Sequence, residues 1–558
     1  MPQQNETPSD TILLCDRVIT MEPGAAADAT AVWVRAGRIM RVFRREQIGE
    51  VASENAAIFD LGCRALLPGF VDVHAHGEVV CRTAYDTIDC RAPECKDVSD
   101  VCDALTSGAA SARTEWIVGQ ANLFFDRKLA EGRLPTRKEL DRVSHDRPIA
   151  LRAGGHITVL NSKALEVAGI DRNFIPPSHS VTGLPDVVRD QDGNPTGVVK
   201  EMDSLLPLPG ISGPELRTAI ESGYRHYFTR FGVTTIGEIS ETVAGIECMN
   251  HLADDGRLPL SLRIYLWAPG TLELNRACDW RNNINVSAPP ASLRIQGVKL
   301  FSDGGFSARS AAVNCCYVNM GDFSGTIAFK KYFFERAYKM TQEANLQIAV
   351  HANGDRAQEW ICAAVIGLGG STSGATRLRI EHAGNFLPQA RTADAWAEAG
   401  VIPVPQPVFL YTFGEYFPDY LGEYGLHGRF PFKTLIEGGW RLSGSSDVWI
   451  GSEREATNPL FSIWCCLKRQ TYTGNFIDPH EALTLQQALK MHTLDAAAAL
   501  CEDDARGSIA PGKFADIIAL ERDPFAVSID ELRNLKVDYV MSMGREVFRR
   551  DRAFGRAA

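Results

Sequence analysis

The sequence predicts an α/β chain: a parallel barrel of strands and helices, with a smaller β-sandwich assembled from both ends of the polypeptide. Three observations carry that expectation. From residue 214 onward, strand-like apolar runs alternate with helical ones. Residues 10–64 and 507–547 read instead as short strands separated by tight turns. Several strand-like runs of the middle end on a His, Lys or Asp, side chains that a parallel barrel brings to one mouth.

Length and composition agree. At 558 residues the chain is too long for one ordinary domain, whereas a barrel with an attached domain fits. With 45% hydrophobic and 23% charged residues it can bury a large core, which excludes disorder. A formal net charge of −11 argues against a nucleic-acid or anionic-membrane surface. No apolar stretch approaches the length of a bilayer span, and the opening segment MPQQNETPSDTILLCD lacks the basic start and apolar core of an export signal. A cytoplasmic setting with a small-molecule partner is therefore expected, and a homo-oligomer stays compatible. The 14 cysteines are scattered or vicinal (Cys315–Cys316, Cys465–Cys466), without a C-x-x-C pair, so reduced thiols are expected rather than disulfides or a zinc ribbon.

In chain order, Thr11 to Met21, Ala31 to Val34, Arg38 to Phe43 and Ala57 to Leu61 alternate like strands, with a turn at Ala36-Gly37. Their expected partners are the strand ending at Leu520 and two strands around Gly544. Asp97 to Arg113 and Thr136 to Ser144 read as helices, the second opening on the capping box Thr136-x-x-Glu139. Pro148 to Ala153 reads as a strand delivering Gly154-Gly155-His156. Asp190-Gln-Asp-Gly-Asn-Pro has a likeness to a calcium loop, but Pro195 stands where that loop needs glycine, so a hairpin between 186–189 and 196–200 is preferred. Further strands are expected at 233–238, 293–301, 347–351, 378–382, 401–404 and 441–445. Helices are expected at 214–231, 332–345, 356–366 and 390–399, and from Thr484 to about Leu500. The Gly/Ser-rich stretch 367–374 should lie at the barrel's lower end. The domain bounds that follow are 1–66 and 503–558 for the sandwich and 67–502 for the barrel, with an insertion over roughly 82–210.

The apolar run 65–76 ends in His74-Ala-His76. In a strand, residues two apart share a face about 6 to 7 Å from each other, a spacing that suits two imidazoles on one metal ion. Alone, the pair is equally compatible with two unrelated loop histidines. Lys299, His351, His382 and Asp447 follow at the ends of later strand-like runs, and six such residues converging on one mouth make a strong signal. Imidazoles and a carboxylate suit zinc or a similar ion, which lowers the pKa of bound water toward neutrality.

The chain resembles the amidohydrolase superfamily, in its amidohydrolase family 3 branch. The resemblance rests on Pro68-Gly-Phe-Val-Asp-Val-His-Ala-His76, Val298-Lys-Leu-Phe-Ser-Asp-Gly304, Val350-His-Ala-Asn-Gly-Asp-Arg356, Ile380-Glu-His-Ala383, Ser443-Gly-Ser-Ser-Asp447 and Pro511-Gly-Lys-Phe-Ala-Asp516. It implies a (β/α)8 TIM barrel with a composite β-sandwich, and one or two divalent metals, zinc foremost, on His74, His76, Lys299, His351, His382 and Asp447. It further implies that Lys299 is carboxylated and bridges two ions; the alternative is an ammonium paired with Asp303 or Asp447. Asp447 would bind metal, take the proton of the attacking water and return it to the leaving amine.

The expected function is hydrolysis of a non-peptide carbon–nitrogen bond in a small aryl- or alkyl-substituted amide. Two rivals are a deaminase of a cyclic amidine and a non-catalytic assembly or regulatory barrel. His156, Arg309 and Trp449 are candidate substrate contacts, with His156 equally readable as structural. Glu381 is expected on the far strand face, paired with an arginine outside the barrel interior. Asp355 and Arg356 are expected to begin a helix. The aromatic stretch 405–426 is expected to cover the mouth, where its rings favour an apolar substituent, or else to serve a subunit contact or simple packing.

Overall fold

The computed structural model describes residues 10–550, apart from 25–27, 52–55, 63, 179, 181–183, 212 and 371–375. Most of the opening segment, Cys63 and residues 371–374 of the Gly/Ser-rich stretch lie outside the described residues. The remaining cysteines are all free thiols, as expected. Among the described residues, no helix is long and apolar enough to cross a membrane.

The core is a parallel sheet of seven strands that nearly closes on itself: β1 (Phe70–Ala75), β2 (Val233–Ser240), β3 (Ser261–Trp267), β4 (Leu293–Phe301), β5 (Gln347–His351), β6 (Arg379–Glu381) and β7 (Ile402–Val404). Each pairs with the next in sequence, the order of a TIM barrel. The strand expected at 441–445 is instead an extended segment without ladder pairing. It still fills the gap between β7 and β1, because Ser443 Oγ donates to Pro403 O (3.2 Å), Asp447 N to His74 O (2.8 Å), and Val448 O accepts from His76 N (3.0 Å). Serines and a glycine replace the branched apolar residues of a regular strand, so side-chain and irregular backbone bonds stand in for the ladder.

The interior is packed rather than hollow. Val71, Val73, Tyr265, Ala349 and Val404 form one buried cluster, closed below by Ala496, Ala499 and Leu500. Gly297 is required there: a Cβ would lie 2.8 Å from the Tyr265 ring and 2.3 Å from the Gln347 carbonyl. Strand β3 was not expected from the sequence, although Leu-Arg-Ile-Tyr-Leu-Trp carries the period-two pattern. Its Arg263 is fully buried and pairs with Glu502 at 2.9 Å.

The expected helix from Thr484 is two helices, Leu485–Met491 and Leu494–Ala499, broken at Thr493. The break frees two carbonyls for the barrel: Met491 O accepts from Gly444 N (2.8 Å) and His492 O from Val71 N (2.9 Å). The insertion forms a six-stranded sheet spanning Ile88 to Lys200, and its 186–200 hairpin is present as expected. The sandwich draws on both ends of the chain. In one sheet Leu66 pairs with Ala519 and Leu67 with Ile518; the other holds four N-terminal strands, and Leu13, Val32, Leu66, Ile517 and Met541 share the core between them.

Candidate metal centre

The six candidate ligands come from four barrel strands and the segment that replaces the eighth. His74 lies in β1 beside a bulge, where three steps of β1 (Asp72 to Ala75) match two of β2 (Ile236 to Glu238); such bulges re-aim side chains. His76 lies just past the strand, at the start of the helix Gly77–Asp86. The two rings are nevertheless neighbours, 5.6 Å between centroids. Lys299 lies in β4, and His351 ends β5. His382 and Asp447 take left-handed backbone angles, φ 76° and 43°, a strain that non-glycine residues keep mainly at functional positions.

Three Nε2 atoms converge on one carboxylate. Asp447 Oδ1 is 3.1 Å from His74 Nε2 and 3.6 Å from His76 Nε2, and Asp447 Oδ2 is 3.9 Å from His382 Nε2. His351 Nδ1 is 3.0 Å from His382 Nε2. One ligand atom each from His74, His76 and Asp447 fits within 4.8 Å. Lys299 Nζ is fully buried and makes no hydrogen bond with Asp303, Asp447 or any other described residue. The paired-ammonium alternative is therefore not what the structure holds. Asp303 is occupied elsewhere, accepting from Ala312 N, Asn353 N and Gly354 N at 2.8 to 3.0 Å.

Outer partners preset the imidazoles. Glu381 Oε2 lies 2.6 Å from His74 Nδ1, and Gln406 Oε1 lies 2.7 Å from His382 Nδ1. The Glu381 carboxylate against His74 and the Gln406 oxygen against His382 favour the proton on Nδ1, which leaves the Nε2 lone pair for the site. Glu241 Oε1 stands 3.5 Å from His76 Nδ1 and accepts from Trp449 Nε1 at 2.9 Å. Here the structure corrects the expectation for Glu381: it is wholly buried inside the barrel, clamped by Arg379, because the short strand β6 turns this pair inward. Glu241, Gln406 and Arg379 were not expected from the sequence. An arginine two residues before Glu381, on the same strand face, is the one local signal that could have been read. Asp355 and Arg356 do begin a helix, Asp355–Gly367.

Burial biases the nitrogen ligands toward their uncharged forms. Burial, with the Lys299 charge second, pushes His74 down to about 4. Burial also lowers His351 far below its usual range, lowers His382, and brings Lys299 down to about 8. For Asp447 burial acts upward, but His74, His382 and His76 outweigh it and keep the carboxyl below its ordinary value. His74, His351 and His382 biased to the neutral form, a carboxylate and a buried amine without a hydrogen bond form a donor set that fits a divalent cation.

A cleft of about 80 Å³ opens on this cluster, bounded by His156, His351, His382, Asp447 and Trp449 and by Phe124, Phe306, Phe409 and Phe413. His156 is held from behind by Glu201, 3.0 Å from Nδ1. Phe409 and Phe413 belong to the aromatic stretch, which folds as short helices beginning at Pro407–Phe413. Arg309 is not among the residues bounding the cleft; its guanidinium lies 5.6 Å from the centre of the Tyr420 ring.

Comparisons with known proteins agree with this architecture. Residues 57–548 match the model of the amidohydrolase family. An N-substituted formamide deformylase from Arthrobacter pascens is 26% identical over 524 residues, covering 91% of this chain and 93% of the relative. Crystal structures of metal-dependent hydrolases of uncharacterised activity superpose on the fold. One, from Pyrococcus horikoshii OT3, has a TM-score of 0.72 at 21% identity and covers 94% of this chain and 99% of its own. Another, from Pyrococcus furiosus, has a TM-score of 0.69 at 23% identity and covers 92% and 99%. The chain belongs to the amidohydrolase family and is a hydrolase acting on carbon–nitrogen bonds.

Proposed function

We propose that the protein hydrolyses a small N-substituted amide, with a formamide as the simplest case, to an amine and a carboxylic acid. The observation that carries the reading is the convergence of three imidazole Nε2 atoms on the Asp447 carboxylate at the mouth of the barrel. His74, His76, His351, His382, Lys299 and Asp447 would hold one or two divalent ions, zinc first, because neutral nitrogens and a carboxylate suit a borderline cation. Such an ion supplies Lewis acidity, which lowers the pKa of water and polarises the scissile carbonyl.

The remaining chemistry belongs to side chains. Asp447 takes the proton of the attacking water at a carboxylate oxygen and passes it to the amide nitrogen as the C–N bond breaks. His156 turns Nε2 to the cleft while Glu201 holds Nδ1; burial lowers its pKa, but Glu201 outweighs that and raises it, which suits a donor to the substrate oxygen. Trp449 forms one wall of the cleft, and the Arg309 guanidinium lies against the Tyr420 ring. Lys299 adds carbon dioxide through its amine nitrogen and releases a proton. The resulting carbamate replaces a costly buried ammonium with two anionic oxygens.

Four phenylalanines around the cleft support an aryl or alkyl substituent. The small volume and the relative named as an N-substituted formamide deformylase support a short acyl group. A small molecule is the only partner in this reading, without nucleic acid or membrane, in the cytoplasm. The test is amine release by protein loaded with Zn²⁺, Mn²⁺ or Co²⁺ from N-substituted formamides, aryl carboxamides and acylated amino acids, beside ammonia release from cyclic amidines. Amine from formamides is expected. Ammonia from amidines alone would replace the reading with a deaminase, and a metal-loaded protein inert on every substrate would favour a non-catalytic role.

A further inference from the structure

A second cavity, of about 420 Å³, adjoins the catalytic cleft. The two share Leu123, Phe124, His156 and Ser307, so the outer chamber begins where the inner cleft ends. Its far walls come from the insertion sheet, with Ile157 and Val198, and from Tyr420 of the aromatic segment. We infer that this chamber is the subsite for the substrate's N-substituent, an extended apolar group, aryl or arylalkyl, which passes His156 and Phe124 while the scissile amide sits at Asp447. The inference rests on the amide reading above.

Three features support it. The inner cleft, at about 80 Å³, leaves little room beyond the reacting bond and a short acyl group, so bulk has to extend outward. Of the chamber's charged residues, Arg133 is held by Glu139 through two bonds of 2.8 and 2.9 Å, and Asp126 has the Arg127 guanidinium 3.6 Å away. An apolar substituent would meet Phe124, Ile157, Val198 and Tyr420. Phe124, on the boundary, holds a left-handed φ of 54° and is braced by Phe413, Tyr416 and Tyr420 at ring separations of 5.2, 5.6 and 6.0 Å. A strained aromatic kept in place by three other rings, between two cavities, is suited to gripping a ring that threads past it.

Val198 lines only the outer chamber and is partly buried, so changing it leaves the catalytic machinery alone. In zinc-loaded full-length protein, Val198→Trp fills the space and Val198→Ala enlarges it. For V198W, kcat/KM on N-benzylformamide and N-(2-phenylethyl)formamide should fall at least about tenfold, mainly through KM, while N-methylformamide changes by less than about twofold. V198A should shift preference toward the longer substrate, and unchanged thermal melting shows that both variants fold. Equal effects on short and long formamides, or none on either, would overturn the inference. Should the wild-type protein hydrolyse no amide, the functional reading fails by itself. Calorimetric binding of N-benzylformamide then decides the subsite: binding abolished by V198W upholds it, and absent or unaltered binding ends it.

Discussion

Glu381 Oε2 lies 2.6 Å from His74 Nδ1, while Arg379 grips the same carboxylate through Nε and Nη2, each at 2.9 Å. Arg379 Nη1 in turn donates to Tyr265 Oη at 2.6 Å, so the chain of contacts runs from the mouth into the packed interior. Burial would raise the Glu381 carboxyl, but Arg379 first and His74 next hold it well below the usual range. An anion fixed at that distance keeps the His74 proton on Nδ1 and the Nε2 lone pair turned to the site.

Glu381→Gln should weaken zinc binding by about 10- to 100-fold, read by chelator competition, because an amide can present its N–H and let the ring flip. Stability should drop by about 3 to 5 kcal/mol, since Arg379 is left as an unpaired buried cation, and the Arg379→Met/Glu381→Leu double variant should recover part of it. Wild-type affinity in E381Q would remove Glu381 from the metal centre.

Asp447→Asn tests the proton transfer. The amide can still occupy the left-handed position, and asparagine tolerates it well, but it cannot accept a proton at neutral pH. Turnover should fall by about a hundredfold to ten-thousandfold in kcat with a smaller change in KM. Metal content measured on the same preparation separates a lost proton carrier from a lost ligand. Near-normal kcat would end the proposed role.

Lys299 offers a direct spectroscopic check. Its amine is fully buried without a hydrogen bond, and burial lowers its pKa to about 8, so the neutral form that adds carbon dioxide is accessible near neutral pH. Protein reconstituted with zinc and carbon-13 bicarbonate should show a carbamate resonance that is absent from Lys299→Ala. Reconstitution without bicarbonate should be slow. A wild-type spectrum without that resonance would leave Lys299 as a plain amine.

Much of the site was legible because it is written at strand ends. His74, His351, His382 and Asp447 follow apolar runs, and a parallel barrel needs no further information to bring such positions together. What was hidden depends on register. Strand alternation puts Glu381 on the wrong face because β6 is only three residues long and His382, at φ 76°, leaves the strand; alternation cannot be extrapolated through a left-handed residue. Glu241 and Gln406 follow β2 and β7, and nothing local links them to histidines far away in sequence. The strand that the pattern predicts at 441–445 lacks a ladder, since its neighbours bond to it through serines and a carboxylate.

His492 supplies a test of how that segment is held. Its ring packs under Gly444, where an added Cβ would approach ring atoms to 2.4 Å, and its Nε2 has no hydrogen-bond partner among the described residues. Burial lowers its pKa from 6.5 to about 3. The unfolded chain therefore binds this proton before the folded one does. Stability is fully present above about pH 6.5 and declines as pH falls toward about 3, at about 1.4 kcal/mol per unit from this group. Urea unfolding of metal-free protein at pH 7, 6, 5 and 4.5 should show a steeper acid-side loss in wild type than in His492→Leu, whose apolar side chain has nothing to titrate. Gly444→Ala should destabilise at every pH by steric conflict alone, without altering the slope. Parallel pH curves for wild type and H492L would show that the ring is not buried as a neutral group beneath the eighth segment.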